Sequence, residues 1–402
     1  MTLRKSIICP ACWREFPPGM VKFIATSERF QADPIAGPGE PLRFRAMRFD
    51  SLGNALDPGD SRCSGIACPH CHSEFPRVLL ELPPMPISIV GAPGSGKTNL
   101  LASGLWRMAQ RAADLGCSIT DPEPRFNTIV HRNEDMLFSA DRVDSDVTLP
   151  KTDIGGAELY RTVHINGTSE MAPRPAFFVV GIGSEPKSVL VLYDNAGEHF
   201  MPGSRIAGSD SATRHLERSV VIIVVFDPLQ DRRFRQRFAP HAVGVGMDGH
   251  QRQELVFSEA IAKVRRLRSL SPSDPIDIPI IVALTKADVW GMSALGDSWA
   301  KVQGASAKAL SSSEVLAQLK CVSDAARAAV SSVASEFTNT VKSQASNSWF
   351  VPVSALGTSP EMRDGRYVIS AGSIRPCWSE MPFVLAMHLA GSRASPSGAV
   401  VD

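Results

Sequence analysis

Apolar positions in this chain fall into two recurring patterns. The first is the short continuous run, seen at Ile87 to Val90, Ser188 to Tyr193, Val220 to Phe226, Ile278 to Leu284 and Trp349 to Val353. The run from Val220 to Phe226 is almost wholly β-branched, which marks a strand buried on both faces of a parallel sheet. The second is helical spacing. Leu101, Leu105, Met108, Ala112 and Leu115 recur at steps of four, three, four and three, and Gly116 follows as a cap. Val256, Ala260, Ile261, Val264 and Leu267 trace another helical face, and a long helical stretch runs from Ser313 to Val341. Phe126, Ile129, Val130, Met136, Leu137 and Phe138 predict extra helix after the first. Strands alternating with helices predict an α/β sheet with its ligand site in loops at the strand C-termini.

The chain has 402 residues, 44% hydrophobic and 21% charged, which suits two or three globular domains. A net charge of +1 gives no global pull toward nucleic acid or membrane. No apolar run approaches the ~20 residues of a spanning helix. Met1 to Trp13 lack the apolar stretch of a signal peptide, so a cytoplasmic protein is expected. In a reducing compartment, eight cysteines point to metal or free thiols and not to a disulfide frame.

Four of those cysteines sit in a small internal repeat. Cys9-Pro10-Ala11-Cys12-Trp13-Arg14-Glu15-Phe16 returns as Cys68-Pro69-His70-Cys71-His72-Ser73-Glu74-Phe75, and both copies read C-P-x-C-x-x-E-F. Two residues between cysteines let both thiolates close on one zinc ion at ~2.3 Å, and two such pairs fill a tetrahedral, structural site. Cys63 is a spare ligand, and His70 and His72 compete. The repeat resembles the knuckles of a zinc ribbon. Its gap is far longer than a ribbon's and must hold an insertion, with a hairpin around Arg43 to Phe49 and turns at Pro34–Pro41 and Asp57–Asp60. Pro76 and Pro83-Pro84-Met85-Pro86 read as a stiff linker. The expected domains are thus a zinc-ribbon-like head over 1–82, a second domain over 83–391 and a flexible tail over 392–402. Basic and aromatic residues do not interleave densely in the head, so it is read as docking protein in preference to nucleic acid.

Between the run at Ile87 to Val90 and the first helix lies Gly91-Ala92-Pro93-Gly94-Ser95-Gly96-Lys97-Thr98, which fits G-x-x-x-x-G-K-[ST] at every fixed position. Backbone N–H groups of such a loop and the helix N-terminus point at phosphate, and the helix dipole favours negative charge there. Lys97 would reach the β- and γ-phosphates and the Thr98 hydroxyl would ligate Mg²⁺. Three further apolar runs also end in polar signatures. Ser188 to Tyr193 leads into Asp194-Asn195-Ala196-Gly197, Ile278 to Leu284 into Thr285-Lys286-Ala287-Asp288, and Trp349 to Val353 into Ser354-Ala355-Leu356.

The order G-x-x-x-x-G-K-T, D-x-x-G, T-K-x-D, S-A-L resembles the motif series of P-loop GTPases and spans 87–356. That resemblance implies a P-loop NTPase three-layer α/β/α sheet, a Ras-like G domain with insertions, hydrolysing GTP to GDP and phosphate with Mg²⁺. Asp194 would hold Mg²⁺ through a water, and the Gly197 N–H would sense the γ-phosphate. Asp288 would accept the N1–H and N2–H₂ of guanine, Lys286 would lay its stem along the base, and the Ala355 N–H would meet O6. Thr285 stands where Asn is usual. Glu198 stands where Ras-like proteins have Gln and translation factors have His, and its charge would repel the γ-phosphate, so slow hydrolysis is expected. His199 is read as a solvated loop histidine that could substitute for it. The first switch threonine should precede a strand around Leu159–Ile165; Thr152 is the choice, with Thr148 second.

The knuckles, the stretch Asp194 to Phe200, the Val225-Phe226-Asp227-Pro228 strand end and a terminal helix over Trp378 to Leu389 resemble a narrower group, the bacterial double-GTPases of conflict (defence) systems. That implies a protein partner, either an effector or a second GTPase. Arg232, Arg233, Arg235 and Arg237, interleaved with Phe234 and Phe238, read as an arginine finger for a neighbouring copy in a homo-oligomer, a docking face, a phosphate patch, or a plain solvated helix face. Lys263, Arg265, Arg266 and Arg268 read as plain surface. Two alternatives stay open: a zinc-ribbon ATPase dependent on nucleic acid, and a nucleotide-binding scaffold with negligible hydrolysis.

Overall fold

The five apolar runs become the five parallel strands of one sheet. The computed structural model describes residues 3–138, 146–147, 159–165, 167–183, 187–203, 209–242, 252–304, 312–359, 361–363 and 366–394. In chain order the sheet strands are β1 (Pro84–Gly91), β2 (Cys117–Thr120), β3 (Ala176–Ile182), β4 (Ser188–Asp194), β5 (Val221–Phe226), β6 (Ile280–Leu284) and β7 (Ser348–Pro352). They lie in the order β2-β3-β4-β1-β5-β6-β7. Neighbours from β4 to β7 run parallel, and β2 and β3 are antiparallel additions at one edge. Every residue of β5 and β6 is buried, as expected of strands covered on both faces. The architecture is mixed α/β with a large, mostly parallel sheet, the class expected from the alternation of runs and helices.

The strand β1 starts earlier than expected. Pro84, Met85 and Pro86 are not a linker; they pair in register with Val189, Leu190 and Val191 of β4. Proline lacks a donor and is tolerated where one side of a strand is unpaired. Here β5 joins β1 only from Ile87 onward. The proline carbonyls still work as acceptors, Pro83 O for the Val189 N–H and Pro86 O for the Val220 N–H.

The helices used below are α1 (Lys97–Arg111), α2 (Thr128–Phe138), α3 (Gln253–Leu267), α4 (Ala287–Leu295), α5 (Ser312–Ser331), α6 (Ser335–Gln344) and α7 (Met381–Ala394). The long helical stretch is therefore two helices, α5 and α6. Gly116 takes the left-handed φ of 62° expected of a cap. Helix α7 packs on α1, with the fully buried Glu380 held by Arg111 at 2.8 Å. The strand expected around Leu159–Ile165 is real, but Tyr160–Ile165 pairs with Thr168–Pro173 in a hairpin outside the main sheet. Among the described residues no helix is long and apolar enough to cross a membrane.

The cysteine-bearing head is built from very short strands. Ile7–Ile8 pairs with Glu15–Phe16, and Lys22–Ile24 lies between Arg43–Phe44 and Ile66–Ala67. The segment from Arg43 to Phe49 does not fold on itself; Arg43 and Phe44 pair with Ile24 and Phe23, and Phe49 bridges to Ala55. Strand alternation then decides what the head rests on. Val189, Val191 and Tyr193 of β4 join a core with Phe16, Ile66 and Phe75 of the head, whereas Leu190 and Leu192 face the main core. The head thus covers one face of the sheet at β3 and β4.

Candidate functional site

The glycine loop leaves the C-terminal end of β1 and enters α1. A Cβ at Gly91 would lie 2.6 Å from the Val225 carbonyl oxygen, so only glycine lets the loop lie against β5. Gly94 and Gly96 have φ of 72° and 94°, left-handed values that favour glycine. No side chain caps the start of α1, so its first N–H groups stay available. Lys97 is buried and its Nζ donates to the carbonyls of Gly91 (3.0 Å) and Ala92 (3.3 Å). Burial pushes its ammonium below the ordinary range, opposed by the charges of Asp194 and Glu198. The Ser95 hydroxyl is buried without a hydrogen-bond partner among the described residues, and Thr98 occupies the first turn of α1.

Asp194 ends β4 directly beside this loop, paired in register with Ile89. Its Oδ1 is buried and among the described residues accepts no hydrogen bond. Burial pushes its carboxyl up to about 6, with Lys97 pulling the other way. Gly197 packs backbone on backbone against the loop: a Cβ there would lie 2.6 Å from both Gly91 O and Pro93 N. Glu198 follows, half-buried. His199 is not a solvated loop residue. It is fully buried with its ring 5.5 Å from that of Tyr160, and burial, with a smaller push from Lys263, lowers its pKa to about 4. The Tyr160 hydroxyl accepts the Ala196 N–H at 2.9 Å and so anchors this turn from outside the sheet. Thr152 and Thr148 lie outside the described residues.

The loop after β6 is tied to the glycine loop by Thr285, whose hydroxyl donates to Ser95 O at 2.9 Å. Lys286 sits at a left-handed φ of 58° and its Nζ donates to Asp227 Oδ2 at 2.6 Å. Asp288 takes a 2.6 Å hydrogen bond from the Ser354 hydroxyl. Burial raises the Asp288 pKa, opposed by Ser354 and by the Lys286 charge. Ser354 also accepts the Gly357 N–H, which shapes the turn carrying Ala355 and Leu356. All four motifs therefore meet at the C-terminal edge of the parallel strands. Asp227 was missed as a site residue. The Asp-Pro pair after β5 marked the strand end, but nothing local shows that this buried carboxylate is the counter-ion of Lys286.

The arginine segment is a short helix, Arg232–Phe238. Arg233 is ion-paired to Asp231 and Glu336, Arg235 donates to Leu229 O, and the Arg237 guanidinium stacks 5.2 Å from the Phe238 ring. The second basic group is not plain surface. Lys263 is buried 5.8 Å from the Phe200 ring, and Arg268 bridges Glu217 O and Asp277.

At the other pole, the sulfur atoms of Cys9, Cys12, Cys68 and Cys71 lie within 4.8 Å of one another, all buried. Cys9 and Cys71 are 3.7 Å apart, as are Cys12 and Cys68. Four sulfurs at ~2.3 Å around one tetrahedral zinc stand roughly 3.8 Å apart, so the donor set fits that ion. The N–H groups of Ala11 and Cys12 point at Cys9 Sγ and that of His70 at Cys68 Sγ, which favours thiolates. The competing ligands go elsewhere: Cys63 bonds Ser61 O, His72 pairs with Asp33 at 2.7 Å, and the His70 ring packs on Phe16.

No family model matches this chain, and no curated protein matches it. Among solved structures it is similar to Sup35 complexed with GDP, at TM-score 0.25 and 11% identity, over 70% of this chain and 40% of that chain. It is also similar to the S. cerevisiae Ski7 GTPase-like domain bound to GDP and inorganic phosphate, at TM-score 0.28 and 12% identity, over 79% of this chain and 52% of that one. The same domain bound to GTP gives TM-score 0.23 and 11% identity, over 77% and 50%. The chain spans about half or less of each of these proteins.

Proposed function

We propose that this protein is a zinc-headed P-loop GTPase that binds GTP and GDP and hydrolyses GTP slowly to GDP and phosphate. The observation that carries the reading is the convergence of the glycine loop, Asp194–Gly197, Thr285–Asp288 and Ser354–Leu356 on one sheet edge, joined by the Thr285–Ser95 and Ser354–Asp288 hydrogen bonds. The loop N–H groups and Lys97 hold the phosphates. The buried Oδ1 of Asp194, unpartnered among the described residues, with the Thr98 hydroxyl, suits the oxygen ligands of Mg²⁺. When bound, that ion neutralises charge on the β- and γ-phosphate oxygens. A carboxylate has about four acceptor sites, so Ser354 leaves Asp288 room for both guanine donors. The four cysteines hold one structural zinc.

The water that attacks the γ-phosphorus would be oriented at Glu198, whose charge opposes the approach of an anionic phosphate. His199, buried and neutral, does not replace it. Slow turnover suits a cytoplasmic switch read by a protein partner, an effector or a second GTPase, as in the double-GTPase defence group that the Asp194–Phe200 stretch resembles. The same Glu198 favours a second reading, a nucleotide-binding scaffold with negligible hydrolysis. The test is competition of GTP, GDP, ATP and ADP for a fluorescent guanine nucleotide with Mg²⁺, on wild type and Asp288→Asn. Guanine nucleotides should win, and the substitution should shift preference toward xanthine nucleotides. Equal competition by adenine nucleotides, untouched by Asp288→Asn, would overturn the GTPase reading; phosphate release then separates switch from scaffold.

A further inference from the structure

A cavity of about 740 Å³ lies where the head, the start of α2 and the Tyr160–Ile165 hairpin meet. Five arginines line it, Arg43, Arg125, Arg132, Arg161 and Arg174, against three carboxylates. Two of those carboxylates are already spent on the head side, Glu40 on Arg43 and Glu74 on Arg125. The third, Asp194, belongs to the nucleotide site.

Arg161 and Arg174 are different. Among the described residues neither is in an ion pair; the Arg161 guanidinium donates to Glu74 O at 3.1 Å and the Arg174 Nε to Tyr160 O at 3.2 Å, while the Arg174 backbone N–H bonds Leu159 O. Arg161 is half-buried and Arg174 is exposed, and among the described residues the Nε groups of Arg161 and Arg43 are buried with no hydrogen-bond partner. Burial, and then the charge of Arg161, push the Arg174 guanidinium below its ordinary value, with Glu40 opposing. The two buried Nε donors, on Arg161 and Arg43, are costly to leave unmatched and call for an anion. Two forked guanidinium donors close enough to repel, with no ion pair among the described residues, match a doubly charged oxyanion better than a single carboxylate. The volume exceeds what a lone phosphate fills and falls in the range of small-molecule sites, with Phe126 and Phe177 as apolar wall.

We propose that this cavity is a second ligand site, binding the phosphate group of a small phosphate-bearing molecule through Arg161 and Arg174, with Arg43 closing it from the head. Such a ligand would bridge head and sheet next to Asp194. The site is independent of the glycine loop, so it is tested where that loop is disabled. Inorganic pyrophosphate is titrated calorimetrically into full-length Lys97→Ala protein in Mg²⁺-free, chelator-free buffer. One molecule should bind per chain, weakened roughly tenfold or more by Arg161→Gln and by Arg174→Gln, the loss expected for a charge-assisted hydrogen bond. Arg232→Gln, on the exposed short helix, should leave it unchanged. Should the cavity variants fail to fold, pyrophosphate must instead protect Arg161 and Arg174 from phenylglyoxal in the Lys97→Ala protein. No binding up to about 10 mM, binding indifferent to both cavity substitutions, or equal loss in Arg232→Gln would overturn the proposal.

Discussion

Asp57 shows how much one buried carboxylate can organise in the insertion between the knuckles. It is fully buried, and its two oxygens accept the N–H groups of Thr26, Ser27, Gly59 and Ser61, closing the turn that the Asp57–Asp60 signature announced. Burial alone would raise its pKa, but the four backbone donors outweigh it and hold the carboxyl below its ordinary 3.8. A depressed folded pKa means the stabilisation is present above 3.8 and is lost as pH falls through the lower folded value. Asp57→Asn should therefore cost about 2 kcal/mol near neutral pH, and its gap from wild type in denaturant midpoint should hold down to about pH 4 and shrink as pH falls below the unfolded 3.8 and through the lower folded value. A gap constant with pH would show that the carboxylate charge is irrelevant. The same scale explains what sequence could disclose. Gly91, Lys97, Asp194 and Asp288 were legible because each stands at a fixed offset from an apolar run. Asp227 was not, because it meets Lys286 across 59 residues and no local pattern encodes that meeting. Nor was the burial of His199, which depends on a tyrosine from a hairpin outside the sheet.

Elements obey the same division. The five parallel strands were readable because a strand covered on both faces is continuously apolar. β2 spans only four residues, with exposed Ser118 and Thr120 at an edge, and left no such run. The early start of β1 is hidden because prolines normally end a strand, and only its one-sided pairing at Pro84–Pro86 makes them admissible. Helix α1 offers a prediction whose sign is informative. At an exposed helix interior, Gly→Ala gains about 1 kcal/mol. At Gly104 an added Cβ would lie 2.3 Å from the Phe383 ring and 2.7 Å from Ser379 O, both on the α7 side. Gly104→Ala should accordingly destabilise by about 1–3 kcal/mol, as overpacking does, read as a lower denaturant midpoint. Stabilisation would mean that α7 does not pack on α1 as described.

At the scale of the whole molecule, the cysteine cluster and the proposed nucleotide edge share one strand. The Tyr193 hydroxyl donates to Pro10 O inside the first knuckle at 2.9 Å, and the Trp13 ring lies 5.3 Å from the Tyr193 ring. The next residue along β4 is Asp194. On its other side Tyr193 stacks on His215 at 4.7 Å, and the His215 ring nitrogen Nε2 accepts from the Asn195 side chain at 2.9 Å. A structural zinc in four thiolates contributes folding energy directly, so its removal should loosen the knuckle and, through Tyr193, the position of Asp194. Stripping the metal with a thiol-directed reagent and chelator should release one zinc per chain and lower the thermal midpoint. Mg²⁺-dependent GDP binding should weaken about fivefold or more, the lower end of ordinary coupling between sites. Linkage is reciprocal, so saturating GDP should slow zinc release in turn. Tyr193→Phe keeps the ring in the core and deletes the Pro10 hydrogen bond; in that variant the two effects should shrink together. Metal removal that lowers the midpoint yet leaves GDP affinity untouched would make the head a separately stabilised cover on β3 and β4, with no say in what the nucleotide edge binds.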